Sequence, residues 1–369
     1  MASDALLDGL REELGAAETI TDGAFSFGIE EEYFLVDART RQAVERTPET
    51  LFEQAFAASE GRIGRELLQT QAEADTWPCV TPGHARAELV FARSVLQAVA
   101  ARHGLAVLAC GTHPTASWRS AVQSGKERYD AIMGELRMIG QRSMLCGMHV
   151  HLQLPDTGRR VEVMTRLLPY LPLFLALSTS SPFWQGRETG LKSYRFAAFG
   201  ELPRTGLPDP FRTEGEFQAY VDALVRAGAI KDGSHIWWAI RPSVRYPTLE
   251  LRTPDCCTRV EDALAIAALY RVIARHLYFH PDGGDGLSMV AHAIAQENRW
   301  RAQRYGIQCT FVTEEGAIPV GEFLERAIAL TAEDADALGC AHEVAHCRTI
   351  VAGGTSADAQ PGDLPRARG

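Results

Sequence analysis

No CxxC pair occurs among the eight cysteines of this 369-residue chain, and only Cys256 and Cys257 are adjacent. In a chain of this length such scatter is expected of reduced thiols in a cytoplasmic protein. A basic surplus is also missing. The 37 Lys and Arg are outnumbered by 47 Asp and Glu, and the formal charge of −10 argues against a general nucleic-acid binder, which needs cations to neutralise phosphates. The most apolar segment, Leu167 to Ser181, is interrupted by Pro169 and Pro172 and is too short to span a bilayer. The acidic stretch from Met1 to Gly23 carries no basic-then-apolar leader pattern, and no internal repeat or low-complexity linker stands out. What is there is the composition of a soluble globular protein, 46% hydrophobic and 23% charged, long enough for one large domain or two modest ones.

Period-two alternation marks the strands. Residues 25–37 place Phe25, Phe27, Ile29, Tyr33 and Leu35 on one face, and residues 148–154 alternate Met148, Val150, Leu152 and Leu154 with His149, His151 and Gln153. Residues 236–244 and 248–252 are expected to pair, with Tyr246-Pro247 near the connection, and 61–76 and 105–111 are weaker strands. Helical periodicity covers 83–103, 161–178, 214–227, 259–278, 288–305 and 332–351, with Asp255 or Thr258 as N-cap of the 259–278 helix and Gly306 as a C-cap. Strands and helices do not alternate strictly, and the strands are polar on one side. That pattern predicts an α+β fold, an antiparallel sheet with helices on its other side.

The polar faces of these strands carry the chemistry. Gly28-Ile29-Glu30-Glu31-Glu32 puts Glu30 and Glu32 on one face, where two carboxylates repel unless a cation lies between them; a hard ion such as Mg²⁺ suits such oxygen ligands. Alone, the motif reads equally as an acidic exposed strand. Glu31 falls on the apolar face by parity, where it either reaches past the sheet edge or pairs with an arginine. In Glu66-Leu67-Leu68-Gln69-Thr70-Gln71-Ala72-Glu73, Glu66 and Glu73 have opposite parity. A straight strand would hold them about 23 Å apart, so both face one ion only if the chain bends between them. Gly147-Met148-His149-Val150-His151 offers two imidazoles on a polar face, for metal, phosphate or merely structural contacts. Arg241 and Arg245 share a face, as do Glu250 and Arg252, and arginine forks suit phosphate and carboxylate groups. The basic helix around Glu297-Asn298-Arg299-Trp300-Arg301 is either solvated or an anion contact. His342-Glu343-Val344-Ala345-His346 fits the HExxH zinc signature, but no later His or Glu completes a zinc set, so two incidental helix histidines are expected.

Taken in order, these segments resemble the type 2 glutamate–cysteine ligase family, the bacterial carboxylate–amine ligases. The resemblance runs from about residue 25 to 360 and also includes Arg241 through Asp255 and Gly354-Thr355-Ser356-Ala357-Asp358. It implies a glutamine-synthetase-like catalytic fold, whose curved antiparallel sheet holds metals, ATP and amino acid on its concave face and helices on its convex side. A single catalytic domain over 24–352 is implied, between an acidic segment at 1–23 and a partly mobile tail at 353–369. By similarity, Glu30, Glu32, Glu66, Glu73, His149 and Glu250 are candidate ligands for two or three Mg²⁺ ions, with Mn²⁺ as a substitute. Arg252, Arg241 and Arg245 are candidate catalytic residues at the transferring phosphate. His151, Arg299 and Arg301 are candidate nucleotide contacts, and Lys192 and Arg195 candidate substrate contacts. The segment Ala197 to Pro203 departs from the family pattern. The implied activity is ATP-dependent joining of a glutamate-like acid to an amine such as cysteine through an acyl phosphate, in a cytoplasmic homodimer or higher homo-oligomer with no nucleic-acid or membrane partner. The alternatives are a guanidino kinase of the same fold and a non-catalytic nucleotide- or metal-binding protein.

Overall fold

The computed structural model describes residue 14 and residues 23–125, 127–281 and 288–363. Most of the acidic segment at 1–23, and residues 364–369 of the tail, lie outside the described residues. Seven strands form one antiparallel sheet: β1 (Phe27–Asp37), β2 (Ile63–Arg65), β3 (Gln71–Asp75), β4 (Leu105–Leu108), β5 (Met148–Gln153), and, after the small hairpin β6 (Phe183–Trp184) and β7 (Arg187–Glu188), β8 (Ile240–Pro242) and β9 (Thr248–Leu251). Their order is β2-β3-β1-β5-β9-β8, with β4 paired to the end of β1. A second hairpin, β10 (Thr310–Thr313) and β11 (Gly316–Pro319), stands apart.

The expected α+β architecture is therefore present, and the alternation that predicted it explains the layering. Ile29, Met148, Val150, Leu152, Leu249 and Leu251 leave one face of the sheet and join a single core with Leu89 of the helix Pro82–Arg102, Val163 of Arg160–Leu167 and Ile266 of Val260–Phe279. Burial on this scale, at about 25 cal/mol per Å² of apolar surface, holds the sheet rigidly against its helices and leaves the polar face open. The segment Thr157–Ser178 is long and apolar enough for a membrane span, but 78% of its apolar 18-residue window is buried inside the protein. Pro169 and Pro172 break it into Arg160–Leu167 and Leu171–Ser178 around a 3₁₀ turn.

Several expected boundaries move for local reasons. The first strand starts at Phe27, because Phe25 takes a left-handed backbone, φ 64°. The run 61–76 is a hairpin of β2 and β3, with Gly64 opposite Glu73. The expected helix 332–351 splits into Ala332–Ala337 and Ala341–Gly353 at Gly339, φ 61°. Neither Asp255 nor Thr258 caps the helix Val260–Phe279, whose N-cap is Arg259 without a side-chain bond. Asp255 is instead buried under three donors, and Thr258 Oγ1 donates to the Ala109 carbonyl. Gly306 ends the helix Met289–Tyr305 as expected, with φ 58°.

Candidate active site

Cross-strand register assembles the site. Glu30 of β1 lies opposite Asp75 of β3 on one side and His149 of β5 on the other. Glu32 lies opposite Glu73, His151 opposite Glu250 of β9, and Glu250 opposite Arg241 of β8. Partners in register share a face, so one surface carries carboxylates toward β3 and arginines toward β8. That surface is the floor of a cleft of about 600 Å³.

Within it, single ligand atoms of Glu30, Glu32 and His149 lie within 4.8 Å of one another, and so do those of Glu30, Glu73 and Asp75. Glu30 Oε1 is 3.0 Å from His149 Nδ1, and Glu30 Oε2 is 3.6 Å from His151 Nε2. The Gly147 amide donates to Glu32 Oε2 at 2.6 Å, and His149 Nε2 lies 4.0 Å from Glu32 Oε1. The β2–β3 turn brings Glu66 back over the sheet, where its side chain hydrogen-bonds Glu73. The bend between them, the condition under which both can face one ion, is present. The hairpin returns Glu66 to the face its parity seemed to deny it.

The charges in this cleft are set by burial and by neighbours. Burial and the like charge of Glu66 push the Glu32 carboxyl up to about 8. Burial and Glu30 push Asp75 up to about 7 and raise Glu73 well above its ordinary value, with Glu66 adding to the latter. Burial would raise Glu30 as well, but the charge and hydrogen bonds of His149 and His151 hold it well below the usual carboxylate range. Burial and Arg252 bring His149 down to about 4, so the ring is neutral near pH 7. With Nδ1–H directed at Glu30, its Nε2 lone pair faces Glu32 and is available to a cation. Burial opposes ionisation of Glu250, yet Arg252 and Arg241 hold it far below its ordinary value. Crowded, partly protonated carboxylates beside a neutral imidazole are a donor set that fits a hard divalent cation such as Mg²⁺, which would displace the protons.

The other expected site residues divide. Arg241 Nε meets Glu250 Oε2 at 2.9 Å while Arg252 Nη1 bonds Glu250 Oε1, so both Glu250 oxygens are already engaged by arginines. Arg252 Nε is buried with no hydrogen-bond partner among the described residues. Arg245 lines the cleft, its guanidinium 5.0 Å from the Tyr246 ring centroid. Arg195 lines it too, buried, with Nη1 and Nη2 donating to the Thr253 and Arg252 carbonyls and Nε without a hydrogen-bond partner among the described residues. A Cβ at Gly147 would lie 2.0 Å from Arg195 Nη2, which explains the glycine. Lys192 turns away, its Nζ 2.7 Å from Asp358 Oδ1. Arg301 pairs with Glu297 at 2.8 Å, and Arg299 bonds Gln296 and Gln303 and lies 5.8 Å from the Phe196 ring; neither lines the cleft.

Sequence reasoning missed Asp75, although its spacing of two from Glu73 was the available signal. It also missed Tyr129 and Trp237, aromatic lining residues from loops and a short helix with no periodicity to announce them. Phe199 and Leu202, in the segment that departs from the family pattern, line the cleft as well. The two HExxH histidines do not converge. His346 Nε2 is 2.8 Å from Asp262 Oδ1 on the neighbouring helix, while His342 points to solvent.

Residues 26–364 match the family model described as glutamate-cysteine ligase family 2 (GCS2). The chain belongs to this family. Among its GCS2 relatives, a Bradyrhizobium sp. (strain ORS 278) protein carrying the provisional name glutamate–cysteine ligase 2 is 56% identical over 93% of this chain and 84% of its own length. A Rhodospirillum rubrum protein with the same provisional name is 44% identical over 91% and 88%. In three dimensions the GCS2 chain resembles a glutamate–cysteine ligase from Francisella tularensis, in complex with AMP, with TM-score 0.65, 14% identity and 94% and 86% coverage. It also resembles a bifunctional glutathione synthetase from Pasteurella multocida, with TM-score 0.69 and 14% identity, where 99% of this chain spans about half, 52%, of the other. These likenesses give the glutamine-synthetase-like α+β fold, and the family with its relatives supports a carboxylate–amine ligase, an enzyme forming amide bonds from small molecules.

Proposed function

We propose that this ligase uses ATP to activate the side-chain carboxylate of a glutamate-like acid and joins it to an amine. The observation that carries the reading is the opposition, on one sheet face, of two carboxylate clusters sharing Glu30 and an arginine group around Glu250. The crowded carboxylates favour a cation and the arginine group an anion, and a metal–phosphate ligand would satisfy both. Glu30, Glu32 and His149 would hold one Mg²⁺, and Glu30, Glu73 and Asp75 another, with Glu66 beside the second. Bound ions supply charge neutralisation and orientation for the phosphate oxygens. In the first step a carboxylate oxygen of the acid bonds the γ-phosphorus as its bond to the β-phosphate oxygen breaks, giving ADP and an acyl phosphate. Arg252 is suited to the equatorial oxygens because its buried Nε has no acceptor among the described residues. In the second step the amine nitrogen attacks the acyl carbon, phosphate leaves and the nitrogen gives up a proton. Arg195, also with a free buried Nε, suits a substrate carboxylate or the leaving phosphate. Glu250 would have to release an arginine to ligate a metal, so we assign it to holding Arg241 and Arg252. His151 and Arg245 retain a proposed nucleotide or phosphate contact, whereas Lys192, Arg299 and Arg301 take structural roles.

The test is phosphate release from MgATP with glutamate and a panel of amines that includes cysteine, with mass spectrometry of the products. A γ-glutamyl amide formed in step with ADP and phosphate is the expected result. A phosphorylated guanidino or amino compound without an amide would replace the ligase reading by a kinase, and no turnover with any pair would sink it.

A further inference from the structure

Glu31 sits between the two carboxylates assigned to metal but faces the other way. It is fully buried on the helix-covered side of the sheet, and both its oxygens are taken: Arg93 Nε at 2.9 Å and Nη2 at 2.6 Å, with the Tyr33 hydroxyl as a third donor. Arg93, on the helix Pro82–Arg102, does not stop there. Its Nη2 also donates to the Cys257 carbonyl at 2.8 Å and its Nη1 to the Thr258 carbonyl at 2.9 Å. Those carbonyls follow β9 by a few residues, and the intervening loop is stitched to β5 by Met148 N donating to the Pro254 carbonyl and Cys256 N to the Cys146 carbonyl. Met148 is in turn the register partner of Glu31. One guanidinium therefore grips the midpoint of β1 and, past β5, the chain that leaves Glu250 and Arg252.

Resting on the metal-dependent reading above, we propose that the Glu31–Arg93 pair is a positioning device that sets the aim of Glu30 and Glu32 at the cation and their distance from the Arg252 strand. The physical reason is strand geometry. Successive side chains on β1 alternate faces, so a three-point hold on residue 31 fixes the rotation of the strand about its axis and with it the direction of residues 30 and 32. A hydrophobic residue at 31 would pack against the helix layer but would resist rotation less, since it lacks directional bonds. A buried ion pair is weak evidence for stability as such; conformational specificity is the better-attested reason to keep one. In this pair both carboxylate oxygens and all three guanidinium nitrogens have hydrogen-bond partners.

The experiment measures Mn²⁺ binding by titration calorimetry on the full chain without nucleotide, beside thermal unfolding. The proteins are wild type, Glu30→Gln, Arg93→Lys, Glu31→Gln and Tyr33→Phe. Wild type should bind Mn²⁺ and Glu30→Gln should lose it; a wild type that binds none overturns the metal reading and this inference with it. Arg93→Lys and Glu31→Gln should fold and bind Mn²⁺ about ten-fold or more weakly, while Tyr33→Phe, which keeps the guanidinium fork, changes affinity less than three-fold. Lysine should not rescue, because one ammonium cannot hold two carboxylate oxygens and two carbonyls at once. Folded Arg93→Lys and Glu31→Gln with wild-type affinity would leave the metal reading standing and overturn the positioning role. If either fails to fold, the folded one decides, and if both fail, Glu31→Asp, which keeps the charge but draws the carboxylate back from the guanidinium by one methylene, decides: a ten-fold loss sustains the role and wild-type affinity overturns it.

Discussion

At the scale of single residues, three side chains bear on what the cleft can hold: Arg195, Glu32 and Asp75. Arg195 lies over the one position where β-carbon-free backbone admits it, Gly147. Gly147→Ala is expected to force the guanidinium off the cleft wall, costing about 1–3 kcal/mol of stability by overpacking and most of the ligase activity. Thermal melts with an ADP-release assay check both halves, and full activity would remove Arg195 from the site. Glu32 and Asp75 provide a pH signature. Their carboxyls rise on folding from 4.5 to about 8 and from 3.8 to about 7, so over roughly pH 6.5 to 8, above the range in which the lowered His149 opposes them, these groups bind more protons in the metal-free native state than in the unfolded one and the chain loses stability as pH rises. Melting temperature without divalent ions should therefore fall across that window, and saturating Mg²⁺ should flatten the slope by replacing the protons. A slope of the opposite sign would contradict the crowding of these carboxylates. At His346 the expectation is the reverse of dramatic. His346→Ala removes the bond to Asp262 and should cost about 1 kcal/mol with activity unchanged, and a large activity loss would revive the zinc motif.

At the scale of elements, the C-terminal helix Ser356–Asp363 acts on the site through its first turn. Asp358 accepts from the Thr355 amide and hydroxyl and pairs with Lys192. Thr355 meets Thr179, Ala357 N donates to the Thr179 carbonyl, and Gln360 bonds the Ser180 carbonyl. Ser180 and Ser181 bind Asp255, and Ser181 Oγ accepts from the Arg195 amide. Thus the Gly-Thr-Ser-Ala-Asp motif supports the turn that carries Arg195. Asp358→Ala should cost about 2 kcal/mol, because it strands a half-buried ammonium and two capping donors. It should also raise the KM for the acid more than it lowers kcat, and an unchanged KM would detach the tail from the substrate side.

At the scale of the whole molecule, the composition, the alternation and the order of motifs determined the α+β class, the family and the polar strand face, because period two and burial are local consequences of residue type. Glu30, Glu32, Glu73, His149, His151, Glu250, Arg252 and Arg241 could be placed on that face from parity alone. The partners could not. Glu66 joins the cluster only because residues 66–70 turn the chain back, Asp75 only because it stands in register with Glu30, and Lys192 leaves it because Asp358, far along the chain, claims its charge. Arg299 and Arg301 looked like anion ligands in a basic helix, and packing gave them nearer partners. The two possibilities left open for Glu31 were resolved by a helix residue 62 positions away. Which side chains share a face follows from the strand's own repeat; which of them meet follows from register, turns and long-range ion pairing, and these are decided only when the sheet closes against its helices.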